Sequence, residues 1–177
     1  GGVVDVKAMA ALVEVARQNT KVPVLLKVSP DLDERQRRTV ARTALNLELD
    51  GLVVANTTSR RPHRDSAPPL FKTPLLSQNV PDRGGLSGPP LVENTRAIVH
   101  DFYRKTKGRV PIVGVGGVSS ADDAYALIRA GASLVQLYTA LVYHGPGLGC
   151  EIRDGLVERA RRDGFERVRD AVGADHR

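Results

Sequence analysis

Residues 110–146, VPIVGVGGVSSADDAYALIRAGASLVQLYTALVYHGP, decide the fold. Val110-Pro-Ile-Val-Gly-Val is a short β-branched run closed by Gly116-Gly117, the pattern of a buried parallel strand. Ser120 with Asp123 makes a capping-box pattern ahead of a helix whose apolar face is Ala124, Leu127 and Ile128. Gly131 ends that helix, and Ser133-Leu-Val-Gln-Leu-Tyr reads as the next strand. The strand ends Gly114-Val-Gly-Gly and Tyr138-Thr-Ala are therefore expected side by side at one rim of a parallel sheet. In a (β/α)8 barrel the loops after strands seven and eight commonly form a phosphate site. The N–H groups of Gly116 and Gly117 and the Thr139 hydroxyl are suitable donors for it. A glycine pair alone fits tight turns equally well. Two neighbouring strand ends with the same polar chemistry favour the ligand. A dinucleotide fingerprint fails, because Ser119 stands where GxGxxG needs its third glycine.

The rest of the chain repeats the rhythm. Met9, Leu12, Val13 and Ala16 have helical spacing and predict an amphipathic helix over 6–18. Residues 23–28 read as a strand, and Asp31 or Asp33 caps a helix with Val40, Ala41, Ala44 and Leu45 inward. Residues 51–56 are the second strand; a helix over about 91–105 buries Val92, Ile98, Val99 and Phe102. After Pro146 a last helix turns Ile152, Leu156, Val157 and Ala160 inward. Four apolar strands, each followed by a helix, predict an α/β fold with a parallel sheet covered on both faces. Residues 59–83, with five prolines and the basic knot Arg60-Arg-Pro-His-Arg, break the rhythm as a long loop of unassigned role.

Composition narrows the function classes. The chain has 177 residues, of which 41% are hydrophobic, and one core is within reach, whereas a full barrel typically takes about 250 residues. The start, Gly1-Gly-Val-Val-Asp, lacks an initiator methionine, so a piece of a longer chain is expected. A single cysteine, Cys150, excludes an internal disulfide and is expected to be buried or half-buried. The net charge of +6 is scattered over helices with few aromatics between the basic residues, which argues against a nucleic-acid partner. No apolar run approaches the roughly 20 residues of a membrane span. His63, His100, His144 and His176 show no metal-ligand spacing and are expected at the surface or in caps.

Two further features point to a ligand. Lys27 ends an apolar strand, where an ammonium is costly to bury without a partner, although an exposed strand end would let it snorkel. Asn56-Thr57 ends the next strand at the same rim and offers an amide edge, but is also ordinary turn chemistry.

Residues 108–141, with Leu26-Lys-Val-Ser-Pro-Asp, Asn56-Thr-Thr, Gly84-Gly-Leu-Ser-Gly-Pro-Pro-Leu and the terminal Gly173-Ala-Asp-His-Arg, resemble the carboxyl-terminal half of the dihydroorotate dehydrogenases of the membrane-associated, quinone-using class. The order and spacing match over nearly the whole chain. The resemblance implies a (β/α)8 TIM barrel of which residues 1–177 supply roughly the last four βα units, as half of a single flavin-binding domain. It implies FMN as cofactor, dihydroorotate and orotate as substrate and product, and a quinone as final acceptor in pyrimidine biosynthesis. Lys27 would contact the isoalloxazine ring, and Asn56 with Thr57 would hold orotate. Ser87, Gly88, Gly116, Gly117, Tyr138 and Thr139 would surround the flavin phosphate. Ala55 stands at a position often threonine in the family and would touch the flavin through backbone, or have lost a side-chain contact. The catalytic base, a serine, and the amino-terminal region that meets membrane and quinone are expected upstream of Gly1. The implied location is the mitochondrial inner membrane, or alternatively the bacterial cytoplasmic membrane. The rival readings are another phosphate-binding flavin barrel oxidoreductase and a non-catalytic half-barrel acting as a binding or assembly module.

Overall fold

The computed structural model describes residues 4–60 and 84–177. The long loop expected over 59–83, and His63 within it, fall almost wholly outside the described residues.

The described chain runs α1 (Val6–Asn19), β1 (Leu25–Val28), α2 (Glu34–Asn46), β2 (Gly51–Val54), α3 (Val92–Thr106), β3 (Ile112–Val115), α4 (Ala121–Ala130), β4 (Leu134–Gln136), α5 (Thr139–His144) and α6 (Leu148–Arg162). The four strands form one parallel sheet in the order β1-β2-β3-β4, with no reversal of direction across it. Sequential order is the order of a (β/α)8 barrel; a doubly wound sheet would reverse at a switch point. This is an α/β fold built as four consecutive units of such a barrel.

Local chemistry sets the helix starts. Asp33 caps α2, accepting from the Gln36 N–H at 2.7 Å, while the Gln36 side chain accepts from the Asp33 N–H at 2.8 Å. Asp33, not Asp31, is therefore the cap. At α4 the Ser120 hydroxyl accepts from the Asp123 N–H at 3.1 Å, but the Asp123 carboxylate reaches one residue further back, to the Ser119 N–H at 3.0 Å. The capping box expected there is shifted by one residue on its return arm.

The sheet departs from expectation in how it is covered. Leu26, Val28, Leu52, Val54, Ile112 and Val135 face the helices and pack into one core with Ile98, Val99, Phe102 and Leu127. Fully burying one such side chain contributes about 1.5–3 kcal/mol. The register places Lys27 beside Val53, Val53 beside Val113, and Val113 beside Leu134, so these share the opposite face. Among the described residues that face is open at its two edges, where Leu25 is 40% and Leu134 is 65% exposed, while Val113 between them is 7% exposed. Among the described residues, coverage of both faces is thus corrected to full coverage of one and partial coverage of the other. In a closed barrel the second face is the interior, filled by side chains from every strand of the ring.

Other expectations fail for related reasons. Leu12 is 71% exposed, because α1 packs against α2 and turns Val13 inward. Val157 is 38% exposed while Ile152 and Ala160 are buried, because α6 rests on α4 along a narrow seam. Cys150 is exposed, near the start of α6. His100 and His176 are half-buried and stacked on each other, ring centroids 4.0 Å apart, not loose surface residues. No helix among the described residues is long and apolar enough to cross a membrane.

Candidate functional site

Each strand delivers its last residues to one rim, and the loops there enclose a cleft of about 740 Å3. Lys27 from β1 and Ala55, Asn56 and Thr57 from the end of β2 line one side. Gly116 and Gly117 after β3, with Tyr138 and Thr139 after β4, line the other, and Ser87 and Gly88 close the wall ahead of α3. All ten residues singled out in the sequence thus meet in a single cleft.

The glycines are needed where backbones touch. A Cβ on Gly117, whose φ is +78°, would lie 2.7 Å from the Gly88 carbonyl oxygen and 2.7 Å from Val92 Cγ2. A Cβ on Gly116 would meet Thr95 Oγ1 at 2.3 Å, and one on Gly85 would overlap Thr57 Oγ1 at 1.9 Å. The loops after β2, after β3 and before α3 therefore fit together only without those side chains. The Thr139 hydroxyl donates to Ser87 Oγ at 2.9 Å, which ties the fourth loop to the others.

That packing leaves donors unspent. Among the described residues no hydrogen bond engages the N–H groups of Gly88, Gly117 or Thr139. Three N–H groups on adjoining loops, two of them beside helix starts at α3 and α5, suit a multiply charged anion such as a phosphate. Lys27 is exposed on the open face, and no carboxylate among the described residues pairs with it. It supplies a positive charge at the far side of the cleft.

The β2 end is held by main chain. The Ala55 N–H donates to the Val115 carbonyl at 2.8 Å and the Asn56 N–H to the Val28 carbonyl at 2.8 Å. Ala55 is 3% exposed and packs into the core, so what it adds to the cleft wall is a small surface. The Val54–Ala55 peptide bond is cis. Asn56 and Thr57 are exposed at the cleft with their side chains outward from this anchor.

The sequence reading missed Gln136, Tyr143 and His144, which also line the cleft. Gln136 carried a legible signal, since it lies in register with Val115 on the open face. Tyr143 and His144 carried none, because the six-residue α5 has no readable period. No group of three or more His, Cys, Asp or Glu residues among the described residues could hold a metal.

The sequence model of the family "Dihydroorotate dehydrogenase" matches residues 4–159. Over 172 residues the chain is 50% identical to a dihydroorotate dehydrogenase (quinone) of Parvibaculum lavamentivorans, covering 97% of this chain and 46% of that protein. It is 45% identical over 155 residues to the mitochondrial dihydroorotate dehydrogenase (quinone) of Arabidopsis thaliana, covering 88% of this chain and 32% of that protein. A crystal structure of DHODH from Eimeria tenella in complex with ferulenol superposes with a TM-score of 0.86 at 32% identity, over 98% of this chain and 49% of that one. The chain spans less than half the length of the curated relatives it matches. With a family match over most of its residues, and strands in the order that match requires, the chain belongs to the dihydroorotate dehydrogenase family.

Proposed function

We propose that residues 1–177 are the carboxyl-terminal half of a single flavin-binding barrel domain, and that the whole protein oxidises dihydroorotate to orotate, with FMN as cofactor and a quinone as final electron acceptor. The observation that carries this reading is the cleft itself. Unspent N–H donors of Gly88, Gly117 and Thr139 stand on one side, and Lys27 with Asn56 and Thr57 on the other.

These residues fit FMN. The glycine loops leave backbone donors for a phosphate, and the cleft of about 740 Å3 lies within the usual range of a cofactor site. Bound FMN would supply the two-electron chemistry, taking hydride from the substrate. Ser87, Gly88, Gly116, Gly117, Tyr138 and Thr139 hold the phosphate end, and Ala55 meets the flavin through its main chain. Lys27 places a fixed positive charge where negative charge develops during reduction, which lowers the barrier to it. The Asn56 amide, with a donor and an acceptor, pairs with the amide-like edge of the pyrimidine, and Thr57 adds a hydroxyl. The proton-removing base belongs to the other half of the barrel.

The quinone acceptor follows the names of the relatives, and we infer that the whole protein lies against a membrane that carries the quinone. Relatives of that name include bacterial proteins and plant mitochondrial ones, so the membrane is the mitochondrial inner membrane or its bacterial counterpart.

The test is to purify the full-length protein, identify the bound flavin, and add dihydroorotate without oxygen. Bleaching of the visible flavin band, reversed by a soluble quinone, is the expected result. A protein that binds FMN but is not reduced by dihydroorotate would sink the substrate assignment.

A further inference from the structure

Asp31 sits in the turn after β1 and does not line the cleft, yet its carboxylate gathers the residues that follow Asn56 and Thr57. Its Oδ1 accepts the Thr58 hydroxyl, and its Oδ2 accepts the Ser59 N–H at 2.9 Å and the Ser59 hydroxyl at 3.0 Å. Arg60 Nε lies 3.7 Å from Oδ1. The Arg60 N–H donates to Thr58 Oγ1 at 3.1 Å, which directs that hydroxyl's own proton to Asp31. Asp31 is itself fixed, its N–H donating to Ser29 Oγ at 3.1 Å.

Thr58 is the joint. It is 1% exposed, and its main chain exchanges two hydrogen bonds with Leu86, at 3.1 and 2.8 Å, one residue before Ser87. One carboxylate therefore links the turn after β1, the loop after β2 and the loop ahead of α3. Asn56 is tied on one side through its N–H to Val28, whereas no main-chain hydrogen bond among the described residues holds Thr57. The Asn56–Thr57 pair is a short span between two anchors, and Asp31 shares the second with the Leu86 main chain.

We propose that Asp31 is a positioning residue that sets the placement of Asn56 and Thr57 against the substrate, a role that rests on the pyrimidine-holding reading of that pair. A carboxylate is an acceptor at every lone pair, which matches three converging donors; an asparagine would turn a donor toward one of them. Without the carboxylate the main-chain bonds to Leu86 remain but the Thr58 and Ser59 side chains lose this shared acceptor, and a misplacement of about 1 Å in a binding group can cost on the order of a hundredfold.

The experiment uses the full-length, flavin-loaded protein with Asp31→Ala, Asp31→Asn, Asn56→Ala and the Asp31→Ala/Asn56→Ala double variant. Bound flavin, kcat and KM for dihydroorotate, and thermal midpoint are measured for each. Asp31→Ala is expected to keep flavin near stoichiometric and raise KM about tenfold, with a smaller change in kcat, as loss of charge-assisted hydrogen bonds predicts. Asp31→Asn should shift KM in the same direction by less, and it carries the test if Asp31→Ala does not fold. In the Asn56→Ala background, Asp31→Ala should add less than about twofold, because coupled residues are not additive. A lowered thermal midpoint with unchanged KM in both Asp31 variants, while Asn56→Ala raises KM, overturns the positioning role alone. Unchanged KM in Asn56→Ala overturns the pyrimidine-holding reading and this proposal with it.

Discussion

The hydroxyl of Thr139 donates to Ser87 Oγ at 2.9 Å across 52 residues of sequence, joining the loop after the last strand to the loop that opens α3. Beside it a Cβ on Gly88, whose φ is +86°, would lie 3.2 Å from Thr139 Cγ2. The proposed phosphate cradle is thus an assembly of three loops, joined by the main-chain approach of Gly117 to Gly88 and by the Thr139 side chain on Ser87 and Gly88. Its donors converge because small residues let the loops close on one another.

Gly117→Ala tests that closure. The added methyl would lie 2.7 Å from the Gly88 oxygen and 2.8 Å from the Val92 nitrogen, both main-chain atoms that cannot turn aside. Overpacking of this kind typically costs about 1–3 kcal/mol, and a positive φ adds to it. In the full-length protein the variant should be purified with much less bound flavin and should regain little on adding FMN. A variant with full flavin content would show that the Gly88–Gly117 contact is not part of the phosphate site.

Lys27→Ala tests the opposite end of the cleft. With no carboxylate among the described residues beside it, Lys27 is a positive charge exposed to whatever the cleft holds. Removing a preorganised electrostatic group typically slows a step on the order of a hundredfold. The variant should retain flavin less well, and its flavin should be reduced by dihydroorotate correspondingly more slowly in a stopped-flow trace. Normal flavin content with a normal reduction rate would remove Lys27 from the site.

Much of this was legible in the sequence because the signals are local. Alternation of β-branched runs with helical periods fixes four βα units, and the strand ends carry Lys27, Asn56 and Gly116-Gly117 to one rim. What was not legible depends on partners remote in sequence. An apolar run such as Leu25 to Val28 reads the same whether one face or both are covered, so the bare face bearing Leu25 and Leu134 had no signature. Asp31 read as a possible helix cap, since nothing local signals that Thr58 and Ser59, 27 and 28 residues away, supply its donors. The stacking of His100 on His176 likewise joins α3 to the last turn of the chain.

That histidine pair makes stability sensitive to pH. Burial, then His176 and then Arg104, lower the pKa of His100 below its ordinary 6.5, outweighing Asp175 and Asp101, which act to raise it. Tyr103 also contacts His176, whose Nε2 lies 3.0 Å from the Ala130 carbonyl, while Arg96 and Arg129 pair with Asp175. Because the native pKa is depressed, the unfolded chain takes up this proton first as pH falls. The contribution is fully present above about 6.5 and is lost as pH drops toward the lower native value. The thermal midpoint of the full-length protein should therefore fall on acidification through that window, and His100→Gln should flatten the slope. An equal slope in the variant would place the titration elsewhere.

Residues 1–177 expressed alone should not turn over dihydroorotate. The first reason is the sheet face on which Leu25 and Leu134 lie exposed with no described layer over them. Among the described residues, β1 and β4 are also edge strands with no further strand beside them. Such a surface should bind a hydrophobic dye or drive association into larger species, visible by light scattering. The second reason is chemical: general-base catalysis is typically worth about 10²–10⁴-fold, and the proposed base lies outside these residues. The third is that Lys27, Asn56 and the glycine loops would hold the proposed ligand from one side of the barrel only. The decisive measurement adds FMN, dihydroorotate and a quinone analogue to the purified segment. Substantial turnover by a well-folded monomer that binds no dye would overturn both the half-barrel reading and the placement of the base.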